Sequence, residues 1–518
     1  MNLKQITHAI ISVLFVASVF SLSAQTKVSI KALDPQFVIN KNIYGHFSEH
    51  LGRCIYDGFY TDGKLKVATQ NQIRLDVVEA LKKIKIPLLR WPGGCFADDY
   101  HWSDGIGPKE KRPLRINSTW GMVPETNSFG THEFLELCDL LGCEPYIAGN
   151  VGSGTPQEMA NWIEYLNFGG ESSFSKLRKE NGHEKPWKVP YWGVGNETWG
   201  CGGEMTVDYY VDQYKRYAAF CKNYPGAPLK KIVSGANATD YNWMEVCMKR
   251  IPLWQMWGIS AHYYTVVNTW EKKGSATTFG EDEYFKAMQK ALFMEELVTK
   301  HSNIMDKYDP EQKVTLAIDE WGIWTDAEPN TNPAFLYQQN SLRDALLAAA
   351  TLNIFAKHGD RVRMANLAQT VNVLQALILT DKEKMILTPT YHVFDLYKVH
   401  QDANYLPVQF FSPDYVYGKE KIAAVSCTAS KDKNGVTNLT FTNLDANKKQ
   451  NLQIDLNGLD WKKADAQVLT STKFNDVNSF DVPDKVKLVK FSDFKKDGST
   501  LNLNLPAMSV VSIQLSQN

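Results

Sequence analysis

Apolar positions along the chain follow two rhythms, and the change between them falls near residue 400. From about 40 to 400, short apolar runs alternate with stretches of helical period. Residues 42–47 and 87–91 read as strands, and Ile73, Val77, Leu81 and Ile84 fall on one face of a helix between them. Phe134, Leu137, Leu140 and Leu141 mark the next helix, with Gly142 suited to its C-terminal end. Further strands are expected at 144–150, 191–197, 231–236, 257–263, 314–320 and 363–369. Helices are expected at 159–166, 207–222, 242–249, 284–305 and 338–358, with a last one near 393–398. Eight strand–helix units in one unbroken run predict an α/β fold of the (β/α)8 TIM-barrel type rather than a doubly wound sheet.

Beyond residue 400 the period drops to two. Residues 436–442, 452–456, 501–505 and 511–515 alternate, with Asn, Gly, Asp and Lys between them. This pattern predicts a C-terminal antiparallel β-sandwich. Residues 27–32 alternate likewise and are expected to complete the sandwich from the N-terminal side. At the start of the chain, Lys4, an apolar run over 9–22 and the Ser23-Ala24-Gln25 sequence read as a secretory signal cut after Ala24. The expected organisation is therefore a signal peptide at 1–24, a joining strand at 25–40, a barrel at 41–400 and a sandwich at 401–518. An exported protein, periplasmic or extracellular, follows from that reading. The apolar run is too short to span a bilayer comfortably, so no membrane attachment is expected after cleavage.

Composition narrows the partners. Apolar residues make up 44% and charged residues 22% of 518, a balance that excludes a mainly disordered chain. Lys and Arg number 56 against 57 Asp and Glu, so no basic excess is available for nucleic acid. Of 14 tryptophans, 13 precede residue 325, where they serve either as core or as platforms for sugar faces. Trp199 and Trp321 are open to both readings. The eight cysteines make no zinc pattern, and buried free thiols are expected for most of them. His46, Glu49 and His50 sit on a strand leading into a loop, where a metal site is not expected.

Two glutamates stand apart. Glu197 and Glu320 each follow an apolar run and precede a loop rich in Gly and Trp. In a barrel, catalytic groups gather at the C-terminal ends of the strands. Strands four and seven lie on roughly opposite sides of an eight-strand mouth, so the two carboxylates can face one another across a sugar. Glycosidic cleavage needs such a pair: one acid protonates the departing oxygen while a second carboxylate faces the ring carbon.

The segments Tyr44-Gly-His-Phe-Ser-Glu49-His-Leu-Gly-Arg53, Arg90-Trp-Pro-Gly-Gly-Cys-Phe96, Tyr100-His-Trp102, Gly195-Asn-Glu197, His262-Tyr-Tyr264, Asp319-Glu-Trp-Gly322 and Ala368-Gln-Thr-Val-Asn372 occur together in this order. In this the chain resembles the α-L-arabinofuranosidases of glycoside hydrolase family 51. The likeness extends over nearly all of the chain after residue 24. It implies that Glu197 is the acid/base and Glu320 the nucleophile of a retaining exo-glycosidase. It further implies that Asn196 binds the sugar 2-hydroxyl, Glu49 grips furanose hydroxyls and Arg90 holds the nucleophile or its surroundings. Tyr264, Gln369 and His262 are implied as nearby contacts, and Cys95 as a weaker one. Glu49 is also open to a structural role beside Arg53 or His50, Arg90 to one as a buried counter-ion, and His262 to one as a satisfied core histidine.

The implied substrates are terminal arabinofuranosyl residues of plant arabinan, arabinoxylan and their oligosaccharides, with no cofactor and with room for a homo-oligomer. Two rivals remain from the residues alone: an endo-acting β-glucanase or xylanase of the same barrel clan, and a non-catalytic carbohydrate-binding protein.

Overall fold

A computed structural model describes residues 25–517. The expected signal peptide and its cleavage point lie outside the described residues. Eight parallel strands close into a barrel. They are β1 (Gly45–Phe47), β2 (Leu88–Trp91), β3 (Glu144–Gly149), β4 (Tyr191–Val194), β5 (Lys230–Asn237), β6 (Gly258–Thr265), β7 (Thr315–Ile323) and β8 (Val362–Ala368). β8 returns to β1, with Asn366 opposite Gly45 and Ala368 opposite Phe47. β1, β2, β4 and β7 are buried at every residue, because helices cover one face and the barrel interior the other. This is why they read as continuous apolar runs.

The structure departs from the sequence expectations at several joints. Residues 42–44 belong to a 3-10 turn, Lys41–Tyr44, capped by the Asn40 side chain, so β1 starts later. The helix expected at 284–305 is two, Glu281–Leu292 and Met294–Tyr308, separated at Phe293. Ser173–Glu180 forms a further helix. β4 ends at Val194, where Gly195 turns the chain at φ 86°. Glu197 therefore stands on the turn beyond β4, whereas Glu320 lies within β7.

The C-terminal region forms two large sheets and a small hairpin, Asp414–Tyr417 with Glu420–Ala423. One orders Val408–Gln409, Thr26–Ile30, Gln450–Asp455, Thr500–Leu505 and Phe494–Asp497. The other orders Asn404–Tyr405, Val425–Lys431, Thr437–Asn443, Ser509–Ser516, Lys463–Thr470 and Val489–Lys490. The N-terminal strand does join the sheet, but it runs parallel to Gln450–Asp455, with Thr26 opposite Leu452, and so breaks the antiparallel pattern. Period-2 apolar residues from both sheets, including Ile454, Leu503, Phe441 and Ile513, belong to one buried cluster that continues into the barrel.

The helix Leu342–Lys357 fastens the two parts. It is buried at every position from Leu342 to Ala356, and each large apolar side chain there contributes roughly 1.5–3 kcal/mol. Its Asn353 donates to Ser426 Oγ at 2.9 Å and accepts from Thr428 Oγ1 at 2.6 Å. Inside the barrel, Leu88, Tyr146, Tyr191, Ile232, Ala317 and Met364 form a separate apolar layer from six strands. Among the described residues, no helix is long and apolar enough to cross a membrane.

Candidate active site

A cavity of about 850 Å3 opens at the C-terminal mouth of the barrel, and Glu49, Glu197, His262, Tyr264, Glu320 and Gln369 line it. Glu320 is held at both oxygens. Arg90 Nη1 donates to Oε1 at 2.9 Å, and the Tyr264 hydroxyl donates to Oε2 at 2.9 Å. Arg90 rises from β2, is buried, and lies over the Phe47 ring at 4.6 Å. Its Nη2 donates to Asn196 Oδ1 at 2.6 Å. That bond fixes the Asn196 amide and leaves its Nδ2 buried without a partner.

Asn196 is positioned from its backbone as well. Its N–H donates to Asp98 Oδ2 at 2.8 Å, while Asp98 Oδ1 takes the N–H groups of Val151 and Gly152. Burial pushes the Asp98 carboxyl up to about 7, against these three donors. Glu197, the next residue, has φ 40°, a left-handed conformation disfavoured outside glycine. From this turn its side chain lines the cavity.

His262 bridges the acids. Its Nδ1 lies 2.8 Å from Glu197 Oε1 and 3.6 Å from Glu320 Oε2, and its Nε2 lies 3.0 Å from Asp319 Oδ1. Burial opposes a charge on the ring. Glu320, Asp319 and Glu197 outweigh that and push the imidazole up to about 10. With a carboxyl oxygen within hydrogen-bond reach of each nitrogen, the cationic ring donates twice. Burial also opposes ionisation of Asp319, but Arg90 and His262 hold that carboxyl below its ordinary value. The Tyr146 hydroxyl adds a bond to Asp319 Oδ2 at 2.7 Å, tying the barrel layer to the site. Burial first, and Glu320 second, raise Glu197 above the usual carboxylate range. A carboxylate oxygen of Glu197 and one of Glu320 lie within 4.8 Å of each other.

Adjacent strand residues normally point to opposite faces. Here Asp319 and Glu320 both reach the site, and the ladder shifts register beside them, between Ser260 and His262 and between Ile318 and Trp321. Such irregularities re-aim side chains at barrel rims.

Glu49 closes the other wall. Its Oε1 accepts from Gly94 N, Phe96 N and Trp120 Nε1 at 2.9–3.0 Å, and its Oε2 accepts from Gln369 Nε2 at 2.9 Å. Burial and the charge of Glu320 push the Glu49 carboxyl up to about 7 against these four donors. Arg53 donates to Thr380 O, and His50 pairs with Glu125 and Trp91, so neither holds Glu49. Gly93 and Gly94 make the close approach possible. A Cβ on Gly93 would stand 2.7 Å from Glu49 Cγ, and one on Gly94 would stand 2.7 Å from Glu320 Oε1.

The outer part of the cavity is aromatic. Trp199, Tyr263, Trp270, Phe293 and Trp324 line it with Asn268, Gln289 and Lys290. Trp324 meets Tyr264 edge-on at 5.2 Å and Trp270 edge-on at 5.5 Å, so an aromatic row runs outward from Glu320. Trp199 is thus a cavity wall, while Trp321 is buried against Phe355 and serves the core. Cys95 also lines the cavity, but not as a thiol: it forms a disulfide with Cys201. The other six cysteines are free, and four of them are buried.

All nine residues singled out from sequence converge here: seven line the cavity, and Arg90 and Asn196 pack against lining residues Glu320 and Gly94. Asp98, Trp120, Tyr146, Asp319 and Trp324 were not assigned from sequence. Asp319 and Trp324 carried a signal, since they flank Glu320 closely. Asp98 and Tyr146 carried none, because their partners are distant in the chain.

Two family models match the chain: "Alpha-L-arabinofuranosidase 1 domain" over residues 80–277 and "Alpha-L-arabinofuranosidase C-terminal domain" over residues 319–509. An intracellular exo-α-L-arabinofuranosidase from Bacteroides ovatus is 49% identical, covering 98% of this chain and 99% of its own. The solved structure of a family 51 arabinofuranosidase from Xanthomonas axonopodis pv. citri shares 46% identity, covers 95% of this chain and 100% of its own, and superposes with a TM-score of 0.94. An α-L-arabinofuranosidase from Thermotoga maritima, solved with arabinose, shares 31% identity with a TM-score of 0.84, covering 95% and 99%. The Bacteroides relative is named intracellular, and this overturns the expectation of an exported protein with a signal peptide, whether periplasmic or extracellular.

Proposed function

The chain belongs to the α-L-arabinofuranosidases of glycoside hydrolase family 51, and from that premise we propose that Glu320 and Glu197 split terminal arabinofuranosides by double displacement. The enzyme is an exo-acting α-L-arabinofuranosidase, and arabinose-containing glycans are its substrates. The observation that carries the mechanism is the 4.8 Å limit between the carboxylate oxygens. Retaining glycosidases place the two carboxyl groups about 5 Å apart, whereas a gap above ~6.5 Å admits a water and inverts the centre.

Glu320 attacks the anomeric carbon, and the departing oxygen takes the proton of Glu197. The glycosyl ester on Glu320 is then hydrolysed by a water that Glu197 deprotonates. Burial and the charge of Glu320 favour the protonated form of Glu197 before the first step. Esterification removes that charge, so Glu197 can ionise for the second. Arg90 and Tyr264 fix the direction of Glu320. The unpartnered Asn196 Nδ2 is the donor for the 2-hydroxyl, and Glu49 with Gln369 receives hydroxyls at the opposite edge.

The cavity exceeds one furanose, and its aromatic arm takes the leaving group. Plant arabinan, arabinoxylan and their oligosaccharides suit such an arm. No catalytic group comes from the region after residue 400, which we assign to a sandwich domain packed on the barrel. Hydrolysis of an aryl α-L-arabinofuranoside, followed by NMR, tests the reading: the first-formed arabinose retains the α configuration. A β product at the outset, or a rapid early fall in polymer viscosity, would refute it.

A further inference from the structure

The disulfide of Cys95 and Cys201 stands directly on the acid/base side of the site. Cys95 follows Gly94, which packs on Glu320, and Cys201 lies four residues past Glu197. Cys201 Sγ is 3.6 Å from Glu197 Oε2. Cys201 is exposed and Cys95 half-buried at the cavity wall, so both sulfurs are open to small reagents. One ligand atom from each of Cys95, Glu197 and Cys201 lies within 4.8 Å of the others. Among the described residues, one other triad, Glu197, His262 and Glu320, converges as closely.

We propose that this disulfide masks a binding site for a thiophilic divalent cation such as Zn2+, which Cys95, Cys201 and Glu197 form once the disulfide is reduced. A small dithiol supplies the two electrons. One of its thiolates attacks a sulfur and breaks the S–S bond; its second thiolate closes the reagent to a cyclic disulfide, leaving two protein thiols. Each thiol loses a proton as its sulfur coordinates the ion, so binding releases two protons.

The geometry suits the ion. Zn–S bonds of about 2.3 Å at a tetrahedral angle place the two sulfurs about 3.7 Å apart. The Cα atoms are 5.4 Å apart, so rotation about the side-chain bonds separates the sulfurs that far without moving the loops. Glu197 supplies a hard oxygen as third ligand, and water or a substrate oxygen takes the fourth place. Two soft ligands and one carboxylate favour zinc-like ions over Mg2+ or Ca2+. A carboxylate bound to the ion no longer holds the proton that the leaving oxygen needs. The inhibitory consequence therefore rests on the reading of Glu197 as acid/base, while occupancy of the site does not.

The test uses the full chain in two states, oxidised and reduced with dithiothreitol, the reagent being removed anaerobically. Co2+ is titrated as a spectroscopic probe and Zn2+ as the inhibitor, each rate being compared with that of the same preparation without metal. The reduced protein is expected to bind one more ion than the oxidised one, with thiolate-to-cobalt charge-transfer absorption. Zn2+ should inhibit it at roughly tenfold lower concentration or better, the scale on which metal sites respond to lost partners. Reduced Cys201→Ser should lose both the absorption and the extra sensitivity. If that variant does not fold, the oxidised and reduced wild-type pair decides alone. Equal binding and inhibition in both states would overturn the proposal. So would inhibition that persists in Cys201→Ser without the absorption, since the ion would then sit on Glu197, His262 and Glu320. Charge-transfer absorption without inhibition would refute the effect on Glu197, whose own role is read separately by azide rescue of Glu197→Ala.

Discussion

Arg90 Nη1 meets Glu320 Oε1 at 2.9 Å while the same guanidinium holds Asn196 through Nη2. One planar cation thus sets the direction of the proposed nucleophile and of the amide proposed for the 2-hydroxyl. Lysine cannot reproduce this, because its ammonium is a point charge without a fork. Arg90 is also enclosed, with Asp319 Oδ2 3.9 Å from its Nε. Removing one partner of such a buried set costs about 3–5 kcal/mol. Arg90→Lys is therefore expected to lower both the melting temperature and kcat, measured by thermal unfolding and aryl arabinofuranoside hydrolysis. Unchanged kcat would show that the guanidinium does not position Glu320.

Gly94 is a separate test of close packing. A Cβ there would lie 2.7 Å from Glu320 Oε1 and 3.3 Å from Asn196 Nδ2. Glu320 cannot retreat freely, since Arg90 and Tyr264 hold it. Overpacking of this kind costs roughly 1–3 kcal/mol. Gly94→Ala should accordingly reduce kcat/KM by about 10- to 100-fold, with a much smaller effect on thermal unfolding. Full activity would mean that the loop moves away easily.

Much of the architecture was legible because barrels repeat a simple burial pattern. Eight apolar runs with helical stretches between them suffice to specify the closed sheet, and Glu197 and Glu320 stood out by ending or following such runs. What periodicity does not encode is partner choice. Asp98 holds Asn196 across 98 positions, and Cys95 meets Cys201 across 106. Neither pairing leaves a local trace. The N-terminal strand illustrates the same limit: alternation announced a half-buried strand, but its parallel register against Gln450–Asp455 depends on a partner more than 400 residues away. Phe293 breaks a run that keeps its apolar period on both sides, so one long helix and two short ones read alike.

His262 should tune the pH profile. Its hydrogen bond and its charge both pull the Glu197 carboxyl down, against burial and Glu320. Replacing the imidazolium by the neutral amide of His262→Gln removes the charge part of that pull, so Glu197 keeps its proton to higher pH. The alkaline limb of kcat/KM, where the acid is lost, should move upward even as the maximum rate falls. A limb that stays in place or moves down would detach His262 from the acid/base. A purely structural role would lower the rate without moving the limb.

Trp270 tests the leaving-group arm. It is 58% exposed and reaches Glu320 only through Trp324 and Tyr264. An aromatic face is worth about 0.5–1.5 kcal/mol in contact with a ring. Trp270→Ala should raise KM for arabino-oligosaccharides severalfold and leave inhibition by free arabinose unchanged. Weaker arabinose binding would place Trp270 at the furanose instead.

The sandwich is expected to be inseparable from the barrel. Cutting the chain after Val399 removes the sheets that cover Leu342–Lys357, and it strips Asn353 of Ser426, Thr428 and Thr442. It also orphans Thr26–Ile30, whose ladder partners Val408–Gln409 and Gln450–Asp455 are lost. Unpaired strand edges and a bare apolar helix favour aggregation. The truncated protein should be insoluble or bind hydrophobic dyes strongly. A soluble, active barrel would show that the helix finds other cover.

The two glutamates are separated by what each step demands. A good leaving group needs no proton, so Glu197→Ala should form the glycosyl ester on Glu320 at a near-normal rate from an activated aryl arabinofuranoside. Hydrolysis of that ester still needs a base, and losing it costs roughly 10²- to 10⁴-fold. The intermediate should accumulate as a burst. Azide needs no deprotonation to attack, so it should restore turnover and give a glycosyl azide of the substrate's own α configuration. The alkaline limb of kcat/KM should vanish together with the acid. Glu320→Ala removes the nucleophile, so no ester forms on any substrate, and azide can enter only from the vacated face, giving the inverted β-glycosyl azide. The opposite pattern in the two variants would exchange the roles of Glu197 and Glu320. Near-normal activity in both would remove them from the chemistry altogether, despite the carboxylate spacing that suits a covalent intermediate.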